Sequence, residues 1–307
     1  NIPAWLILAL ACARLGAVVV SINTRFKAVE VADLVERSGA GMLVLWPGFK
    51  DIDFNAILRD IEPDALSSIE TLVLYSEDSG EDGGQADRAA LAGFGRRIVS
   101  YADLDGCQEP FDGDAGRDAE CAIFTTSGTT KKPKMVLHTQ HSVADQSHIV
   151  ADARGFREDG AVTLVALPYC GMFGFALAMI TLAAGQPIIN MRFFEPAEAG
   201  RLIQQHHATH MFGSDDLFDL VMRATPGDRP FPSLRLCGYG AFNSALGNIA
   251  AEGHARGIPF VGIYGSSEVP PPPSCQSDQE PLERRRQGGV LPTSHARPYQ
   301  QRATHCW

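Results

Sequence analysis

Short apolar runs recur along this chain at intervals that leave room for one helix between neighbours, and that alternation limits the fold more than any other feature. Residues 17–20, 41–45 and 70–74 read as buried strands, with helical spacing over 29–37 and 51–60 between them. The pattern resumes further on. Residues 121–124, 135–137, 162–166, 187–190, 209–212, 234–237 and 260–263 are strand-like, and 139–153, 173–184, 197–207 and 244–255 carry helical spacing. Strands alternating with helices assemble βαβ units, and those build mainly parallel sheets. The expected class is α/β. Residues 76–87 form an acidic, solvated loop, and 89–118 read as a mixed link into the second block.

Composition narrows the setting. The chain has 307 residues, 45% apolar and 20% charged, which is the profile of a globular protein with a sizeable core. A formal net charge of -10 disfavours non-specific attraction to nucleic acid or an anionic membrane, so an anionic substrate needs a local basic site. The seven cysteines are scattered without a C-x-x-C pair, which fits a reducing cytoplasm rather than a disulfide framework or zinc ribbon. The apolar stretch 4–12 is interrupted at Arg14, too early for a span of about 20 residues, and no basic leader precedes it. It reads as a buried helix lacking the sequence before it, so the chain is expected to be incomplete at its start, with no transmembrane segment.

In open α/β sheets ligands bind beyond the carboxyl ends of strands, and three loops in such places carry chemistry. Between Thr125 and Thr130 five hydroxyl residues surround Gly128, followed by Lys131, Lys132 and Lys134. Hydroxyls and successive backbone N–H groups form a concave donor surface for phosphate oxygens, and lysine adds a compact positive charge. Residues 238–243 are glycine-rich and allow close backbone approach to a ligand. Tyr264-Gly-Ser-Ser-Glu268 offers an aromatic face for a base, two hydroxyls, and a carboxylate suited to Mg²⁺.

At these residues the sequence resembles a known family. Thr126-Ser-Gly-Thr-Thr130 with Pro133-Lys134 is similar to the signature T-S-G-T-T-G-x-P-K-G of the AMP-forming adenylating enzymes, which include acyl-CoA synthetases. Tyr264–Glu268 resembles their Y-G-x-T-E, Gly238–Phe242 their G-G-A-P loop, and Leu167–Gly174 their L-P-x-x-H-x-x-G. Order and spacing agree over residues 1 to 268. The resemblance implies the large N-terminal domain of such an enzyme, incomplete at both ends. It implies ATP and Mg²⁺ as cofactors, with a small carboxylic acid and coenzyme A as partners. By resemblance, Thr126, Ser127, Gly128, Thr129, Thr130 and Lys134 wrap the β- and γ-phosphates. Gly240, Ala241, Phe242 and Tyr264 hold the adenine, Gly265 is a further cofactor-binding residue, Ser267 touches the α-phosphate, and Glu268 binds the metal. Thr126, Lys134 and Glu268 are the candidate catalytic residues. Tyr169, Gly171, Met172, Phe173 and Gly238 are expected around the acyl group.

Departures from the pattern matter too. Lys131 and Met135 replace two glycines of the phosphate loop, and Gly171 stands where the family often has histidine. After Glu268 hydrophobic periodicity disappears and seven of the chain's 19 prolines follow, so 269–307 is expected to be a disordered tail or a non-native reading frame. On that expectation the C-terminal lid domain is absent and this chain alone has little or no ligase activity. The remaining motifs are weaker. His206, His207 and His210 straddle a helix-to-strand boundary, which disfavours a metal site. Asp215-Asp216 reads as favourable charge at a helix start. Neither a G-x-x-x-x-G-K-[ST] loop nor a G-x-S-x-G elbow is present.

Overall fold

The computed structural model describes residues 1–276 except 48, 51, 78–86, 106–110, 112, 114 and 127–131, with the backbone alone at 105 and 270–274. Its strands are β1 (Val19–Val20), β2 (Met42–Leu45), β3 (Thr71–Leu74), β4 (Arg97–Ser100), β5 (Glu120–Thr126) and β6 (Lys134–Thr139). They continue with β7 (Thr163–Val165), β8 (Ile188–Asn190), β9 (His210–Ser214), β10 (Leu236–Gly240), β11 (Phe260–Ser266) and β12 (Val269–Cys275). The longer helices are α1 (Pro3–Leu15), α2 (Ala28–Ser38), α3 (Gln140–Ala153), α4 (Met172–Ala183), α5 (Pro196–His206), α6 (Asp215–Ala224) and α7 (Ile249–Ala255).

The described residues divide into two units. One takes Asn1–Ser21, Asp114–Thr126 and everything from Met135, and the other takes Ile22–Gly113 and Ser127–Lys134. The smaller unit is a parallel sheet in the order β2-β3-β4. Helix α2 is amphipathic, and its buried Val31 and Val35 share a core with Leu43, Ile69 and Leu72. The larger unit holds the short sheet β1-β5-β6 and a six-stranded sheet in the order β12-β11-β10-β9-β7-β8. Within the latter, β8, β7, β9, β10 and β11 pair in parallel, and β12 pairs antiparallel with β11. The expected α/β class with mainly parallel sheets is what the chain forms.

Helix α4 explains much of the larger core. Its sequence MFGFALAMITLA is apolar on every side, and a helix of that kind needs cover all round. It packs on α3 and against β7, β8, β11 and β12, with Leu177, Ala178 and Ile180 fully enclosed.

Four sequence expectations shift. Helix α1 begins with Pro3 at its first turn and stops at Gly16 in the left-handed region (φ 73). It buries Leu6 and Ala9 while Ile7, Leu10 and Leu15 stay exposed, so it is half-covered rather than buried. Strand β4 lies inside the stretch read as a link. The helix expected over 244–255 is split into a 3₁₀ turn, Ser244–Leu246, and α7, with Gly247 and Asn248 at the break. Beyond the expected boundary at Glu268 the backbone remains paired as β12. Gln276 there exchanges bonds with Gly262: Gly262 N–H donates to its Oε1 at 2.8 Å, and its own N–H donates to the Gly262 carbonyl at 2.8 Å. Arg154 Nη2 donates to the Cys275 carbonyl at 3.0 Å, so this edge belongs to the packed unit.

Candidate functional site

Parallel strands deliver their carboxyl ends to one edge of a sheet, and β9, β10 and β11 do so side by side. Gly240 lies opposite Ser214 in the register, and Tyr239 opposite Gly262. The loops 238–243 and 264–268 therefore leave the same edge on adjacent strands. Gly238 is sterically required: a Cβ there would lie 2.7 Å from the buried Phe212 ring, whereas one on Gly240 would lie 2.7 Å from the ring of Phe242, whose exposed side chain can swing aside.

Asp215 holds the first loop in place. It follows Ser214, the N-cap of α6, whose Oγ accepts the Leu217 N–H at 3.1 Å. The Asp215 side chain is 1% exposed; its Oδ2 accepts the backbone N–H groups of Phe242 at 3.0 Å and Asn243 at 2.8 Å. Asp216 Oδ1 accepts from Asn243 Nδ2 at 2.8 Å. The pair does sit in the first turn of a helix, as expected, and it also fixes the loop that follows the next strand. A buried strand running straight into two aspartates was the available signal, since a helix packed on a sheet turns one of them inward.

Phe242 is 74% exposed and Tyr264 61%, so two aromatic rings stand open at this edge. An exposed aromatic face is a surface on which a planar base can stack. The second loop closes as a two-residue turn: Ser266 pairs with Val269, leaving Ser267 and Glu268 at the tip, with a register shift between Tyr264 and Ser266. His138 of β6, buried, donates from Nε2 to the Ser267 carbonyl at 2.8 Å. Burial pulls its imidazole below the ordinary value, with the Ser267 bond and the Glu268 charge partly opposing this. No local pattern singled out His138. Glu268 is exposed, and among the described residues no group of three His, Cys, Asp or Glu side chains converges on a metal position. One carboxylate suffices for Mg²⁺ that takes its other oxygens from phosphate and water.

Thr126 ends β5 half-buried and Lys134 opens β6 exposed. Ser127, Gly128, Thr129, Thr130 and Lys131 lie outside the described residues. The residues expected around an acyl group separate into two sets. Phe173 stacks toward Phe212 with ring centroids 6.4 Å apart, and Phe212 also faces Gly238. Tyr169 turns elsewhere: it is buried beside Trp5 (5.7 Å), bonds through its hydroxyl to Asn190, and has its phenol pKa raised by burial. Met172 is buried at the first turn of α4, which Gly171 caps. His206 ends α5, His207 is left-handed (φ 50), and His210 is buried in β9.

Glycine-rich and aromatic loops at the carboxyl edge of a parallel sheet define an α/β ligand-binding domain of the open-sheet type. A protein-family model for AMP-binding enzymes matches residues 1–299, and the chain belongs to that family. The match continues past Glu268, so the change of composition at Val269 does not end the likeness. A 3-[(3aS,4S,7aS)-7a-methyl-1,5-dioxo-octahydro-1H-inden-4-yl]propanoyl:CoA ligase of Rhodococcus jostii (strain RHA1) is 28% identical over 293 residues, covering 91% of this chain and 53% of the relative. A feruloyl-CoA synthase of Amycolatopsis sp is 27% identical over 278 residues, covering 88% of this chain and 48% of the relative. The solved o-succinylbenzoate CoA synthetase of Bacillus subtilis, in complex with the acyl-adenylate intermediate OSB-AMP, matches with a TM-score of 0.70 at 18% identity, over 93% of this chain and 64% of that one. The chain spans about half the length of the curated relatives it matches. Among the described residues no helix is long and apolar enough to cross a membrane.

Proposed function

We propose that this protein activates a carboxylic acid with ATP and passes the acyl group to the thiol of coenzyme A. The observation that carries the reading is that loops 238–243 and 264–268 leave the same carboxyl edge on adjacent parallel strands, each with an exposed aromatic residue, Phe242 and Tyr264. A carboxylate oxygen attacks the α-phosphorus, the bond to pyrophosphate breaks, and an acyl-adenylate results. The thiolate sulfur then attacks the acyl carbon and AMP leaves. Such displacements depend on positioning and charge neutralisation more than on covalent help.

In this reading Phe242 and Tyr264 flank the adenine, and Gly240, Ala241 and Gly265 let the backbone approach it. Thr126, Ser127, Gly128, Thr129, Thr130 and Lys134 hold the β- and γ-phosphates, and Ser267 meets the α-phosphate. Glu268 holds Mg²⁺, which supplies neutralisation of phosphate charge when bound. Phe173, Phe212 and Gly238 form the wall met by the acyl group, with Gly171 and Met172 at the head of α4. The relatives' names point to ring-bearing carboxylic acids as the first substrates to try.

The test is pyrophosphate exchange. Labelled pyrophosphate should enter ATP when the purified chain is given a suitable acid, drawn from a panel of aryl-propenoic, cyclic keto and straight-chain acids. Binding of MgATP with no acid-dependent exchange across that panel would replace the reading with a nucleotide-binding role alone.

A further inference from the structure

The smaller unit holds a charge cluster that the family signature does not include. Asp33, on the second turn of α2, is a carboxylate only 9% exposed. Lys132 Nζ lies 2.6 Å from its Oδ1, and Arg37 Nη2 lies 2.6 Å from its Oδ2. Arg37 Nε donates to Oδ2 at 2.9 Å, and Arg37 Nη2 also donates to the Pro133 carbonyl at 2.8 Å. One turn of α2 thus grips both residues that immediately precede Lys134, and all of these groups lie within one unit.

Exposed lysine–carboxylate pairs usually hold little, because both ends wander in water. Here the carboxylate is buried, and a buried charge deprived of a partner is costly. Lys132 itself is 72% exposed at the side chain, so its place is set from the Asp33 side. The Lys132 ammonium beside it, followed by the contacts from Arg37, keeps the Asp33 carboxyl below its ordinary range despite burial.

We propose that Asp33 and Arg37 are positioning residues for the phosphate-binding loop: they fasten Lys132-Pro133 to α2 next to Lys134 and commit Lys132 to an internal ion pair, which withdraws it from the cations offered to nucleotide. This rests on the reading of residues 125–134 as the phosphate clamp. It narrows the sequence expectation, in which Lys131, Lys132 and Lys134 all served as anion-seeking charge.

The experiment uses the full 307-residue chain with Asp33→Asn, Lys132→Gln and the double variant. Two quantities are read: trypsin cleavage after Lys131 or Lys134 without nucleotide, and the MgATP dissociation constant set against turnover at saturating ATP. Each single variant should speed cleavage and weaken MgATP by about fivefold to tenfold, leave saturated turnover near wild type, and show no further loss in the double variant. Asp33→Glu should restore part of the protection. Lys132→Gln alters an exposed side chain, so the test survives if Asp33→Asn folds poorly. Unchanged cleavage and ATP affinity, or losses that add in the double variant, would overturn the proposal. If the wild-type chain binds no MgATP, the functional reading fails, while the cleavage comparison still decides whether the ion pair holds the loop.

Discussion

Replacing Asp215 is the sharpest probe of how the proposed nucleotide edge is built. Its carboxylate accepts three backbone N–H groups: those of Phe242 and Asn243 on Oδ2, and that of Asp216 at 3.0 Å on Oδ1. Hydrogen bonds to a charged group are worth about 1.5–3 kcal/mol each when the partner is left unsatisfied. The loop backbone lies beside exposed Phe242, and the Asp216 N–H lies in a first helical turn, so water can re-solvate part of this set. Asp215→Ala should therefore cost about 2–4 kcal/mol, less than the simple sum of three such bonds. Asp215→Asn keeps an oxygen where Oδ2 stood but faces its NH₂ toward the Asp216 N–H, for about 1–2 kcal/mol. At roughly 2–4 °C per kcal/mol for a unit of this size, thermal melts resolve the two variants. Titration with a fluorescent adenine nucleotide should show both binding more weakly than wild type, alanine more so. The reasoning fails if Asp215→Ala melts within about 0.5 kcal/mol of wild type, or if the asparagine variant is as damaged as the alanine one.

Three further outcomes are expected. His138 and His210 are both pushed below the ordinary imidazole value, chiefly by burial, so they stay neutral in the folded chain while the unfolded chain takes up protons. Stability is then full above pH of about 6.5 and falls as pH drops from there toward the folded values, by at most about 1.4 kcal/mol per pH unit per histidine; melts that stay flat from pH of about 7.5 to 5.5 would contradict this. A Cβ at Gly174 would sit 2.5 Å from the Leu167 carbonyl oxygen and nearer still to that of Pro168, whereas one at Gly171 meets only the Pro168 oxygen at 3.6 Å. Gly174→Ala should cost about 1–3 kcal/mol in denaturant unfolding and Gly171→Ala under about 0.5, and equal losses would refute the packing described. Burial pushes the Cys121 thiol up to about 11 and raises that of Cys237, while Cys170 is half-buried. A thiol reagent should therefore label Cys170 in the native chain and reach Cys121 and Cys237 only on unfolding, which mass mapping of labelled peptides would check.

Strands that announce themselves do so through unbroken apolar runs. Leu72, Val73 and Leu74 are buried in the middle of a parallel sheet, and runs of that kind are visible without knowing their neighbours. Strand β4 is different. Arg97-Ile-Val-Ser100 carries two apolar residues, and its identity comes from the partners Leu72↔Ile98 and Val73↔Val99. Helix α1 shows the opposite failure: residues 4–12 are apolar all round, and composition cannot say which face finds cover. Strand β12 was hidden by its prolines, which lack the donor a central strand needs. It escapes that bar by lying at the sheet edge, paired on one side only through Ile263↔Cys275, Tyr264↔Ser274 and Ser266↔Val269.

The chemical residues and their supports differ in how far apart they lie. Gly240, Tyr264 and Glu268 belong to short signatures, and each loop can be read from a handful of consecutive letters. The groups that fix those loops come from elsewhere: Asp215 is 27 residues from Phe242, His138 is 129 from Ser267, and Arg37 is 96 from Pro133. Nothing local marks an aspartate or histidine as the partner of a distant backbone group, because the choice is made when the sheets pack. Yet these contacts decide whether the open loops hold one geometry, since a ligand edge made of glycine and exposed aromatics has little packing of its own. The signatures therefore carry the proposal of what this edge binds. The Asp215 carboxylate and the His138 imidazole bonded to these loops help decide how well they are held, and substitutions there should separate binding strength from chemistry more cleanly than changes in the signatures themselves.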